Sequence, residues 1–228
     1  MLEKARKLYE ENKLDESLTI YNDFLDKNPN HAEALFFRAL IYRKKNEHEK
    51  SLDDLSKIVV RLPEQASVWF ERGITYAYLN RQDKALSDMD KAAALEPDNA
   101  FRYSGRAYIK AMFKMYDEAI EDYEKALSID PDDEISLNNL GLLQEQKGYW
   151  EKAQASFEKS NEVYNRKNPD NQLPNYNQQN EPKEDKTLQQ PVKPSAKDYF
   201  LMIKNIFCHK TYFKGYLNFV KQLINGSK

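Results

Sequence analysis

Apolar positions in this chain recur with two periods at once. The short period is helical. In residues 66–99, ASVWFERGITYAYLNRQDKALSDMDKAAALEPDN, Trp69, Gly73 and Tyr76 fall on one stripe. Polar residues from Asn80 to Asp83 interrupt it, and Ala85, Met89 and Ala92 then recur at spacings of four and three. This predicts two helices joined by a turn. Pro97 ends the second, because proline cannot continue the hydrogen-bond ladder and pushes its predecessor out of the helical region. The long period is 34 residues: Pro29, Pro63, Pro97 and Pro131 are that far apart each time. A fixed repeat of this length predicts stacked supersecondary units, each burying its apolar face against a neighbour. Small residues such as Gly73, Ala85 and Ala92 let helices approach, and Trp69, Tyr76 and Met89 fill the space beside them.

The other units carry the same pattern. Residues 32–65 place Leu35, Ala39, Tyr42, Ser51, Leu55 and Pro63 in register, and residues 100–133 place Tyr103, Ala107, Ala119, Tyr123, Ala126 and Pro131. Residues 134–167 match through Leu137, Leu140, Gly141, Ala153 and Phe157, with Asn165 in place of proline. Residues 1–31 form a shortened unit with Ala5, Leu8, Ser17, Tyr21 and Pro29. This pattern resembles the tetratricopeptide repeat, whose signature runs W-x2-L-G-x2-Y, then A-x3-F, then P. The resemblance covers residues 1–165. It implies an all-α fold: a helical solenoid of about five repeats, with a C-terminal amphipathic helical hairpin beyond it. Lys110 stands where an aromatic is expected, which predicts a rotated or shifted first helix in that unit.

The resemblance also implies that first helices line a concave groove. The groove candidates are Phe36, Phe37, Leu40, Phe70, Glu71, Ile74, Tyr78, Phe101, Ser104, Tyr108, Met112, Asn138 and Asn139, an aromatic and apolar set that suits a helical or extended apolar peptide; the alternative for each is inter-helix core. Some tetratricopeptide domains grip the acidic C-terminus of chaperones with Lys, Asn and Arg. Here the equivalent places hold Phe36, Leu40, Glu71, Phe101 and Gly105, so that partner is not expected.

Charge adds one recurring feature. Arg38, Arg72 and Arg106 each precede their proline by 25 residues, and Asp54, Asp88 and Asp122 precede theirs by nine. The first unit has Lys4 and Ile20 there, and the fifth has Leu140 and Ser156. The two residue types come and go together, which points to an Arg–Asp bridge clamping each central hairpin, the arginine stem covering apolar surface. The alternative is three independent pairs of surface charges.

The pattern fails after Asn165. Residues 166–194 are rich in Asn, Gln and Pro without helical period, the composition of a flexible linker. From Ser195 to Lys228 helical spacing returns. Tyr199, Phe200, Ile203, Ile206 and Phe207 share one stripe, and Tyr212, Phe213, Tyr216, Leu217, Val220, Leu223 and Ile224 form another. The expected contact residues of this hairpin are Phe200, Ile203, Phe207, Phe213 and Leu217. Residues 199–228 hold five lysines and no acid, so the remaining 198 residues are acidic by seven charges. The second helix of the fifth unit, with Ala153, Phe157 and Tyr164, is expected to leave apolar surface for the hairpin to cover.

Composition then excludes more than it selects. The net charge is −2, which gives no field for nucleic acid. A single cysteine, Cys208, permits no internal disulfide and no thiolate-rich metal site. There is no phosphate-binding glycine loop, no HExxH and no G-x-S-x-G. His31, His48 and His209 have no ligand spacing, and the first two read as surface residues. The N-terminal stretch MLEKARKLYEENK has neither secretory nor transit character. These observations predict a non-enzymatic protein-binding adaptor or assembly subunit without cofactor, whose partner is a protein of unspecified identity. The second reading is a peripheral membrane protein anchored through the basic aromatic tail. Cytoplasm, or a ciliary compartment, is the expected location.

Overall fold

The computed structural model of the chain describes residues 1–170, and these fall into two compact units, residues 1–97 and 98–170. The first holds α1 (Leu2–Glu10), α2 (Leu14–Lys27), α3 (Ala32–Lys44), α4 (His48–Arg61), α5 (Ala66–Tyr78) and α6 (Gln82–Leu95). The second holds α7 (Ala100–Met112), α8 (Tyr116–Ile129), α9 (Glu134–Gln146) and α10 (Trp150–Lys167). Each successive pair of helices, from α1–α2 to α9–α10, is an antiparallel hairpin. Within a unit, the second helix of one hairpin packs on the first helix of the next: α2 on α3, α4 on α5, and α8 on α9.

The seams repeat with the sequence. Ala5, Ala39, Gly73, Ala107 and Gly141 are buried on the first helices. Opposite them, Tyr21, Leu55, Met89, Tyr123 and Phe157 are buried on the second. The match is one of complementary volume: a methyl group on Gly141 would lie 2.6 Å from the Phe157 ring, and one on Gly73 would meet the Ala85 carbonyl at 3.1 Å. The backbone polar groups at these tight approaches are also used. Ser17 donates to the Ala5 carbonyl at 2.7 Å, and Ser160 to the Glu134 carbonyl at 2.8 Å.

The turn inside every hairpin is the same motif. Asn12, Asn46, Asn80, Lys114 and Gly148 have φ of 58°, 61°, 55°, 62° and 80°. The amide after each reaches five residues back, as Glu47 does to Tyr42 at 2.8 Å and Tyr149 to Gln144 at 2.8 Å. The left-handed residue's own amide reaches three back, as Asn46 does to Arg43 at 3.0 Å. These bonds satisfy carbonyls that the helix end would otherwise leave bare. Asparagine and glycine tolerate this conformation, whereas lysine is strained in it. Lys114→Asn is therefore expected to raise stability by about 0.5–1 kcal/mol, and an unchanged midpoint in urea unfolding would show that the turn carries no strain.

Three expectations are corrected. Lys110 neither rotates nor displaces its helix: α7 begins 34 residues after α5, as α5 does after α3. Helix α10 has 18 residues where α2, α4, α6 and α8 have 14, and it runs to Lys167, past the expected start of the linker. With Asn165 in place of proline, nothing stops the ladder, and the helix gains a turn. Ala153 and Phe157 are buried rather than uncovered; the large exposed side chains there are Tyr149 and Trp150. The linker beyond 170, the hairpin, and its contacts Phe200, Ile203, Phe207, Phe213 and Leu217 lie outside the described residues.

Candidate functional site

The three arginines meet their aspartates. Arg38 Nε donates to Asp54 Oδ2 at 2.7 Å and Nη2 to Oδ1 at 2.8 Å. Arg72 does the same to Asp88 at 2.7 and 2.9 Å, and Arg106 to Asp122 at 2.8 and 2.6 Å. Each is a two-pronged, fork-to-fork pair, the geometry that the planar guanidinium favours. The carboxylates are buried and the arginines partly so. Burial pushes the Asp88 carboxyl above its ordinary range, and the Arg72 hydrogen bonds offset this only in part.

The remaining prong reaches further than the hairpin. Arg38 Nη1 donates to Asn22 on α2 at 3.0 Å, and Arg72 Nη1 to Ser56 on α4 at 3.5 Å. One guanidinium thus ties its own hairpin to the preceding one. Aromatic rings flank it: the Arg72 guanidinium carbon is 4.8 Å from the Trp69 ring and 5.6 Å from Tyr76. Arg38 lies 5.7 Å from the Tyr42 ring, and Arg106 lies 5.5 Å from that of Tyr103. Lys110, at the position of Tyr42 and Tyr76, instead adds a second cation to Asp122 at 2.7 Å. In the fifth hairpin the ion pair is replaced by a neutral one, Ser156 donating to Gln144 at 2.8 Å.

The groove candidates separate into two sets. Phe37, Glu71 and Asn139 share one register and face the preceding hairpin. Phe37 stacks on Tyr21 at 5.7 Å and meets Tyr9 edge-on at 5.8 Å. Glu71 accepts a hydrogen bond from Arg43 of α3. Asn139 donates to the Tyr123 hydroxyl at 3.2 Å. These three hold hairpins together, which corrects their reading as groove lining. The second set lies a turn apart on neighbouring first helices: Phe36 and Leu40 on α3, Phe70 and Ile74 on α5, all at most 5% exposed. Tyr78 continues this row and is 39% exposed. Its ring lies parallel to His48 with centroids 5.0 Å apart, so His48 is a packing residue rather than a free surface one. Burial lowers its imidazole pKa. His31 caps α3, accepting from the Ala34 amide at 3.3 Å.

In the second unit, Ser104 and Tyr108 are buried on α7, Phe101 and Met112 are half-buried, and Asn138 on α9 is exposed. Among the described residues no group of side chains is arranged to hold a metal ion, and no helix is long and apolar enough to cross a membrane.

Known proteins give the same architecture. Tetratricopeptide repeat models match residues 2–66, 66–99 and 135–166, and a TPR repeat model matches 115–148. No curated protein sequence matches the chain. Among solved structures, MamA is similar at 25% identity and TM-score 0.63, over 72% of this chain and 95% of that one. TTC0263, a tetratricopeptide protein of Thermus thermophilus, is similar at 24% identity and TM-score 0.60, over 71% and 89%. YrrB, described as a tetratricopeptide protein with an unusual peptide-binding site, is similar at 22% identity and TM-score 0.56, over 73% and 84%. Repeat models across both units, the 34-residue register and the hairpin seams agree: this chain belongs to the tetratricopeptide repeat family, a scaffold for protein–protein interaction.

Proposed function

We propose that this chain is a non-enzymatic adaptor, or a subunit of a larger assembly, that takes a helical or extended apolar peptide on its first helices. The observation that carries this reading is the row formed by Phe36, Leu40, Phe70, Ile74 and Tyr78 on α3 and α5. Its inner members Phe36, Leu40, Phe70 and Ile74 are buried and Tyr78 is its exposed end, beside the Arg43–Glu71 ion pair, on rigid helices rather than loops. Such a surface binds apolar side chains at helical or extended spacing. The peptide-binding site named for YrrB supports the reading by analogy of fold alone. The residues that grip acidic chaperone tails in some relatives are not matched, so the ligand is apolar rather than a C-terminal carboxylate.

The test starts from a partner recovered by affinity capture, identified by mass spectrometry and then purified. Phe70→Ala and Tyr78→Ala are each expected to weaken its binding about tenfold or more, the cost of losing an aromatic anchor. Loss of folding with unchanged affinity in the remaining folded fraction would make both residues core and remove the binding face. The second reading, a peripheral membrane protein, rests on the five lysines and the aromatic residues of 199–228. Co-sedimentation of the full chain with anionic vesicles, lost at high salt, is its expected signature.

A further inference from the structure

We propose that His48 is an acid-sensitive latch on Tyr78: the neutral imidazole holds the phenol ring at the exposed end of the binding row, and the imidazolium releases it. The effect on binding rests on the reading of that row as a binding face. The latch itself is a property of the chain alone.

The contact joins two hairpins. His48 is the first residue of α4 and Tyr78 the last of α5, and their rings lie within 3° of parallel. The same joint recurs in the second unit, where Gln146, the last residue of α9, donates to the hydroxyl of Tyr116, the first of α8, at 2.9 Å. Leu14, His48, Gln82 and Tyr116 begin α2, α4, α6 and α8. Of these four, histidine alone changes charge near neutral pH.

The surroundings of His48 favour the neutral ring. Its Nδ1 is enclosed and has no hydrogen-bond partner among the described residues, so a proton there would be a buried donor without an acceptor. The ring stands at the start of a helix, where the backbone dipole opposes a cation. The facing charge from α3 is the Arg43 guanidinium, and the nearby carboxylate on α5, Glu71, is committed to that arginine. Glu49 on α4 pulls the other way, but it is exposed and shared with Arg81, which lies 2.5 Å away in the turn after α5. A cation is also drawn to the face of the Tyr78 ring. That ring is 39% exposed, so the gain is small beside an unmatched buried N–H. Burial first, then Arg43, hold the imidazole pKa below its ordinary value. A base depressed in the folded state contributes fully above its unfolded pKa of about 6.5. The contribution is lost as pH falls from there through the folded value. Acid should therefore loosen the α4–α5 joint and free the Tyr78 ring.

The test follows the His48 and Tyr78 ring signals of the full chain by NMR from about pH 8 to about pH 5, the range in which histidine titrates. The His48 midpoint is expected below about 6.5. The Tyr78 signals should shift with the same midpoint, and the cross-relaxation between the two rings should fade with them. His48→Phe keeps a stacked ring that cannot titrate, so its Tyr78 signals should hold still across the range. His48→Gln removes the ring, and its Tyr78 should give the released signals at every pH. A His48 midpoint at or above 6.5 would overturn the latch. So would Tyr78 signals that ignore the titration, or that still follow pH in both variants. The captured and purified partner is expected to bind the parent chain about tenfold more weakly at the acid end, and His48→Phe equally at both ends. A Tyr78 ring that follows His48 without any change in partner affinity would leave the latch standing and remove the binding-face reading instead.

Discussion

Phe37→Ala is expected to cost about 3–5 kcal/mol, the range for deleting a fully enclosed aromatic ring. Phe37 is 1% exposed, and its ring contacts come from three helices: Tyr9 on α1, Tyr21 on α2 and Phe36 on its own α3. Alanine would leave a cavity at the joint between the first two hairpins, where α1 is the shortest of the described helices and has least other surface to hold it. The loss should therefore appear first as detachment of α1 and α2, read by faster amide exchange there than in α5 and α6. Tyr21→Phe is the contrasting change. It keeps the stacked ring and removes a buried hydroxyl that has no hydrogen-bond partner among the described residues. That variant should be at least as stable as the parent. If Phe37→Ala instead lost under about 1 kcal/mol while partner binding collapsed, Phe37 would belong to the binding face after all.

Arg72→Ala is expected to cost about 3 kcal/mol at neutral pH, because it strands a buried carboxylate. Asp88 is 4% exposed and accepts both of its strong hydrogen bonds from Arg72. In the parent its pKa is already raised by burial, against the pull of those bonds. Removing the arginine removes the pull, so the folded-state pKa of Asp88 rises further above the unfolded value of about 3.9. A group with a raised folded pKa contributes most when protonated. The deficit of Arg72→Ala should thus be largest at neutral pH and shrink as pH falls through the raised pKa toward about 4. In the double variant with Asp88→Ala, part of the loss should return and the pH dependence of the deficit should vanish. Urea unfolding of the four proteins across this pH range closes the cycle. Strictly additive losses would mean that the pair does not couple.

The ladder of which this pair is a part was legible from co-occurrence alone. Arg and Asp are present together in three units and absent together in two, and residues that face each other leave that trace in a repeat. The third prong to Asn22 or Ser56 was not legible, because neither residue type recurs with the arginine. A second signal was present and easily passed over. Asn12, Asn46, Asn80 and Gly148 share the 34-residue register, and residues that tolerate a left-handed backbone at a fixed offset before each second helix mark the turn. Lys114 hides it by breaking the residue type while keeping the conformation.

Groove and seam were harder to tell apart. Phe36 and Phe37 are adjacent and identical in chemistry, and at 100° of rotation per residue both suit an apolar helix. Only the placement of α2 decides that Phe37 meets Tyr21. For the same reason Glu71 and Asn139 gave no sign of being joints, since their partners Arg43 and Tyr123 lie 28 and 16 residues away.

The sequence by itself determined the helices, their hairpin pairing, the seams and the family, because those depend on contacts repeated at one period and so are written five times over. The tertiary structure decided which apolar side chains are joints and which form the α3–α5 row. It also decided that Asn165 lengthens α10 and that Lys110 enters the ion-pair ladder instead of shifting its helix. Each of these depends on one side chain at one angle against a neighbouring helix, and a single occurrence leaves no period to read.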